Sequence, residues 1–240
     1  MKKLALVATG ALALAGIGVG VSSAVTPTTT ISAKVTPTNH GTKKKPKKAK
    51  LVVKLSTTPN PADPAFAADT TVVHLAKELQ FNGSALKQCS ASQVLSDDSK
   101  CPKGSRVGQG TASGTALGLT EPLKVKAYNG PGGNKLELLV DGSTPLTIHA
   151  VIEGILAADS APYGKKLEVA IPPDLQQPAP GAYATLTEFD TTINAISGKK
   201  KKPYVGIQSC PSSKKMAFAV DYHYQPDGST ATASTTAKCS

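Results

Sequence analysis

The sequence predicts an all-β protein, an antiparallel β-sandwich of about nine to eleven strands with one short helical turn in a disulfide loop. Three observations carry that expectation. Apolar residues alternate with polar ones at period two from Leu51 to the C-terminus, the signature of strands with one wet face. The alternating runs are separated by turn-forming clusters such as Asn129-Gly130-Pro131-Gly132-Gly133, Asp141-Gly142-Ser143 and Asp227-Gly228-Ser229. After the N-terminal apolar run, no stretch of ten or more residues repeats at the helical period.

In chain order, Lys2 and Lys3 precede an uncharged apolar run from Leu4 to Val21 that ends on Ser22-Ser23-Ala24. Charge, length and small terminal residues match a Sec-type signal peptide over residues 1–24, with retention as an anchor as the alternative. Either way the remainder is expected outside the cytoplasm, secreted or held in the envelope. Residues 25–50, rich in Thr, Pro and Lys, offer little to bury and read as a disordered tether. Extended, such a tether reaches on the order of 80 Å. It carries Lys43, Lys44, Lys45, Lys47, Lys48 and Lys50, a cluster suited to a polyanion such as an anionic wall polymer or a membrane surface.

The folded domain is expected over residues 51–240. Its strands are marked by Leu51/Val53/Leu55, Val73/Leu75, Leu123/Val125/Ala127, Leu136/Leu138/Val140, Ile148/Ala150/Ile152, Leu167/Val169/Ile171 and Met216/Phe218/Val220/Tyr222/Tyr224. Ser90 and Gln93 fit a capping box for one helical turn through Leu95. Ala231 to Cys239 form a thin terminal strand of small residues.

Most of the net charge of +11 belongs to the N-terminal part, because residues 51–240 hold 18 basic against 16 acidic residues. Arg106 is the single arginine and tryptophan is absent, which argues against sequence-specific nucleic-acid readout and against stacking platforms. Four cysteines in an exported chain point to two disulfides with three possible pairings. The simplest joins Cys89 to Cys101 and Cys210 to Cys239. No cysteine has a second cysteine or a histidine at metal-ligand spacing, so neither a metal nor another cofactor is expected.

No catalytic residue is assigned. His149 with Glu153, and Asp221 with His223, each place an imidazole and a carboxyl group on one strand face. If the two strands were neighbours, the four could form the acid–base site of an extracellular hydrolase. Glu188 and Asp190 also share a face, and solvated strand positions explain all three pairs. Gly108-x-Gly110 does not open a helix, which removes a dinucleotide reading; glycines at alternate strand positions suggest close packing instead. Arg106 is the one unusual polar residue of the cysteine loop.

The segments KQCSASQVLSDDSKCPKGSRVGQGT (87–111), Tyr163-Gly164 and IPPDLQQPAPGAYATLTEFD (171–190) together resemble a group of exported all-β proteins of actinobacteria without an assigned activity. The resemblance implies export, disulfides and a sandwich-like domain, and supplies no catalytic residues. Three functions are thus compatible with the sequence. The first is a non-enzymatic envelope protein, structural, adhesive or ligand-binding, on a basic tether. The second is the hydrolase. The third is a carrier of an apolar ligand between the sheets, which requires an open cavity in place of a filled core.

Overall fold

A computed structural model describes residues 27–59 and 66–240; the expected signal peptide lies outside the described residues. Alternation becomes strands throughout: β1 (Thr28–Thr36), β2 (Lys47–Lys48), β3 (Lys50–Thr58), β4 (Ala67–Ala76), β5 (Leu79–Phe81), β6 (Arg106–Ala116), β7 (Leu119–Asn129), β8 (Lys135–Gly142), β9 (Ile148–Ala158), β10 (Tyr163–Ala170), β11 (Thr185–Ile193), β12 (Val205–Ile207), β13 (Lys215–Gln225) and β14 (Thr230–Lys238). Two short helices complete the chain, α1 (Ala91–Asp97) and α2 (Pro173–Gln176). The all-β class is as expected.

Eleven strands form one sheet in the order β1-β3-β11-β6-β7-β8-β9-β10-β4-β13-β14, and every pairing is antiparallel. Its edge strands β1 and β14 pack side by side. The two layers of the expected sandwich are therefore opposite walls of one sheet that curls almost to closure, a shape that right-handed twist favours in a sheet this wide. Closure also shields the edges that an open sheet would expose.

The two ends of this curled sheet differ. Strand starts and finishes at Thr28, Thr58, Ala116, Leu119, Gly142, Ile148 and Thr185 meet at one end. At the other, β2, β12 and β5 form a small three-stranded sheet that closes the interior, burying Leu79, Val205 and Ile207 in the core.

The tether expectation is corrected by β1. Residues 28–36 are a strand, paired residue for residue with β3, and Ile31 and Val35 are buried. Sparse apolar side chains hid it: the buried positions are four apart, and Thr, Ser and Lys fill the wet face. Lys47 and Lys48 form β2 against β12, so the basic run also belongs to the folded domain. The domain thus begins before Leu51.

Both disulfides follow the local pairing. Cys89–Cys101 and Cys210–Cys239 have Cα separations of 5.4 and 5.8 Å, within the range the bond requires. They fit an oxidising compartment. Inside the first loop, Ser90 Oγ accepts from the Gln93 N–H at 3.4 Å, capping α1. The reciprocal half of the capping box does not form, because Gln93 Nε2 donates to Lys100 O at 2.8 Å and so closes the loop on itself. Val94 and Cys89 pack with Tyr128 and Leu139 on the outer face of β7 and β8. Asp98 Oδ2 pins the loop by accepting from Lys126 Nζ and Tyr128 Oη, both at 2.6 Å. Those two bonds hold the Asp98 carboxyl below its usual range.

Candidate functional site: an apolar chamber inside the curled sheet

The inward residues do not fill the interior evenly. On the side of β13, the series Met216, Phe218, Val220, Tyr222 and Tyr224 is almost wholly buried. Tyr224 stacks on Tyr222 with centroids 5.5 Å apart and meets Phe66 edge-on at 5.1 Å. Large rings fill that half.

The half bounded by β6 to β11 is different. A cavity of about 670 Å³ lies there, lined by Leu123, Leu138, Val140, Ile152, Val169 and Phe189 among others. A smaller space of about 80 Å³ continues toward the closed end and shares Leu55, Val73, Leu138, Leu167 and Phe189 as walls.

The chamber has a readable cause. On β6, alternation places Gly108, Gly110, Ala112, Gly114 and Ala116 on one face. A Cβ at Gly108 would lie 2.4 Å from Thr192 O, and one at Gly110 would lie 1.9 Å from Asp190 O. Those two glycines let β6 pack closely on β11, as alternate glycines suggest. Gly114 is unlike them: a Cβ there would meet nothing closer than Thr185 O at 3.7 Å. Ala112, Gly114 and Ala116 line the chamber and leave unfilled the volume that leucines would occupy.

The chamber opens at the end away from the small sheet, where the β6–β7 turn, the loop before β9 and the Ile171–Leu175 segment form its rim. Leu117 is 76% exposed at the turn tip, and Leu119 and Leu146 are 51% and 40% exposed. The turn places Leu117 at φ 52° and Gly118 at φ 74°, a left-handed pair suited to a tight hairpin. It is these left-handed positions that hold Leu117 out in solvent. Polar wall atoms are few. Glu121 interrupts the inward series of β7, and its Oε2 accepts from the Leu146 N–H at 2.8 Å, tying the loop before β9 to the rim. Glu121 Oε1 and Thr71 Oγ1 are buried without a hydrogen-bond partner.

The polar residues singled out from the sequence lie elsewhere or at the rim. The convergence of His149/Glu153 with Asp221/His223 does not form, because β10 and β4 separate β9 from β13. His149 reaches the rim, where it donates from Nδ1 to Asp141 Oδ1 at 2.6 Å and from Nε2 to Leu95 O at 2.7 Å. With acceptors at both nitrogens, first the Leu95 carbonyl and then Asp141, its pKa is raised. Glu153 pairs with Lys135 at 2.8 Å, and His223 with Asp69 at 2.8 Å. Arg106 is exposed and donates to Gln109 Oε1 at 2.8 Å. Asp190 forms an ion pair with Lys54 on the outer face.

Asp221 belongs to a group that the sequence did not disclose. His74 on β4 donates to Asp159 Oδ2 at 2.7 Å and to Asp221 Oδ2 at 2.9 Å, and its ring lies 4.9 Å from that of Tyr163. Burial disfavours the charged ring, but the bonds to Asp159 and Asp221 outweigh it and raise the pKa. This cluster clamps β13, β4 and the end of β9 on the outer surface. Among the described residues, no group of three or more His, Cys, Asp or Glu side chains is placed to hold a metal ion.

No family model, curated protein or solved structure matches the chain. Function is therefore read from the chamber.

Proposed function

We propose that the protein is an exported, non-enzymatic carrier that holds an apolar ligand inside its curled sheet. The observation that carries this reading is the 670 Å³ chamber with its mostly apolar wall. Its volume falls within the range of about 300–1,000 Å³ common to small-molecule sites. Left closed and dry, a void of that size costs about 16 kcal/mol at about 24 cal/mol per Å³, whereas domains typically hold only about 5–15 kcal/mol of net stability. Filled with water, it would need about 22 molecules of ~30 Å³ each, with few wall groups to bond them. An apolar ligand removes both costs.

The exposed leucines at the rim support the same reading, since Leu117, Leu119 and Leu146 offer an apolar chain a path of entry at the β6–β7 turn and the loop before β9. Export is supported by the leader-like Lys2–Ala24 segment and by two disulfides, which are consistent with an oxidising compartment.

Solvent extraction of the purified chain followed by mass spectrometry, and Nile red titration of the extracted protein, test the proposal. Saturable binding at one site per chain, reversed by a long-chain hydrocarbon, is expected. An extract free of apolar molecules together with non-saturable Nile red partition would refute it.

A further inference from the structure

The two lysine runs of the sequence, 43–50 and 199–202, are distant along the chain, yet the fold brings them together. Lys47 and Lys48 of β2 pair with Ile207 and Gly206 of β12, and the second run lies in the hairpin just before β12. The two runs meet around one glycine of β12. A Cβ on Gly206 would lie 2.7 Å from Pro46 and 3.0 Å from Pro203, so the proline inside the first run and the proline ending the second sit over the same glycine. Both runs are fixed by hydrogen bonds to their backbone and its neighbours. Gly41 N–H donates to Ile207 O at 3.0 Å, Gln80 Nε2 to Lys43 O at 3.0 Å, and Gly198 N–H to Lys202 O at 2.9 Å.

Lys43, Lys44, Lys45, Lys47, Lys48, Lys50 and Lys199 to Lys202 are all exposed, and none lies within ion-pair distance of a described carboxylate. The one acidic residue in the surrounding segments 40–50, 77–87 and 196–208 is Glu78, which is buried. Ten uncompensated cations on two segments that meet at β12 repel one another, so this end gains stability when an anion neutralises it.

We propose that this composite face, on the closed end of the curled sheet, binds a linear polyanion. Two observations favour a polymer over a membrane. Membrane-surface sites combine basic residues with apolar side chains that insert between lipids, and the exposed large hydrophobics among the described residues are Leu95, Leu117, Leu119, Leu146 and Ile155, none of them in these segments. Lysine ammonium groups also act as point charges without the fixed fork of arginine, which suits a flexible chain of repeating charge over one defined head group. The rim segments 114–122, 142–148 and 171–186 contain no lysine or arginine, so the polymer face and the chamber mouth occupy opposite ends. Both can be engaged at once.

Binding of the purified chain to long-chain inorganic polyphosphate, to polyglutamate and to anionic phosphatidylglycerol vesicles, measured across salt concentrations, tests this. Lys199→Ala/Lys200→Ala/Lys201→Ala/Lys202→Ala and Lys43→Ala/Lys44→Ala/Lys45→Ala are compared with wild type and with the two sets combined. Each set is expected to weaken polymer binding about tenfold or more at low salt. Each is also expected to flatten the dependence of log affinity on log salt by roughly 0.7–0.9 for every lysine that had neutralised a polymer charge, the scale found for nucleic-acid polyanions. Tighter binding to polyphosphate than to polyglutamate assigns phosphate as the preferred charge, and the reverse assigns carboxylate. Either polymer bound through both lysine sets supports the proposal. Weakening confined to the 43–45 set, salt-independent binding, or tighter binding to vesicles than to either polymer overturns it. Nile red uptake by the same variants reports the chamber separately, so failure of one site leaves the other standing.

Discussion

Ala150→Phe separates a chamber built to be filled from a core that is merely loose. Ala150 sits opposite Val140 in the β8–β9 register, and both line the chamber. The substitution adds roughly 100 Å³ of apolar side chain, and removing that much void gains about 2.4 kcal/mol at about 24 cal/mol per Å³. Even after about 1 kcal/mol of rotamer strain, the ligand-free variant remains more stable than wild type. For a domain of this length the full gain corresponds to a rise in Tm of about 5–10 °C. The same ring occupies space that the ligand needs, so Nile red affinity falls at least about tenfold. Calorimetry on the extracted proteins and a dye titration measure both effects. A variant that is less stable than wild type by more than about 1 kcal/mol, the usual result of overpacking a full core, would refute the reasoning. So would unchanged dye binding.

Other perturbations bear on the rim and on the outer face. Leu117→Ser/Leu119→Ser leaves the fold intact and slows transfer of a fluorescent fatty-acid ester from vesicles into the protein by about tenfold, followed by stopped-flow fluorescence; an unchanged rate argues against admission through that turn. His74, whose pKa the fold raises through Asp159 and Asp221, contributes stability that is complete below its ordinary value of about 6.5 and lost as pH rises through the folded value. Asp159→Asn therefore costs about 1.5–3 kcal/mol at pH 5 and less at pH 8, by denaturant unfolding; a pH-independent cost counts against a charged clamp. Glu137 is fully buried with both carboxyl oxygens unpartnered, and burial, then the nearby Glu153 charge, raises its pKa. A raised carboxyl pKa favours the neutral form in the fold, so the penalty appears as pH climbs above the ordinary value of about 4.5. Glu137→Gln is therefore expected to match wild type near pH 4 and exceed it in stability at pH 8, and a parallel pH profile for the two proteins would contradict this.

The parts of this molecule that its sequence reveals are those set by neighbours along the chain. Period two in Leu136/Leu138/Val140 or in Met216 through Tyr224 reports a face, and the structure places those faces inward. The disulfides were legible because each closes a short loop. What stayed hidden depends on pairing between distant segments. His74 reads as a solvated position on β4 until Asp159, just past the end of β9, and Asp221 of β13 are brought to either side of its ring. The lysine run 43–50 reads as part of a tether until β2 meets β12. The chamber is hidden for a different reason. A cavity is a volume deficit between walls, and the Gly-x-Gly-x-Ala-x-Gly-x-Ala series of β6 is the same in sequence whether a partner strand presses close or stands away. In this protein both happen along one strand: β11 closes on Gly108 and Gly110, then a register shift between Leu186 and Glu188 alters the pairing and Gly114 faces open space. Small side chains became an empty chamber only where no large residue crossed from the opposite wall, and that requires the whole curl of the sheet. Gly114 and Ala150 accordingly set its depth, because a large residue at either would fill the space from its own side.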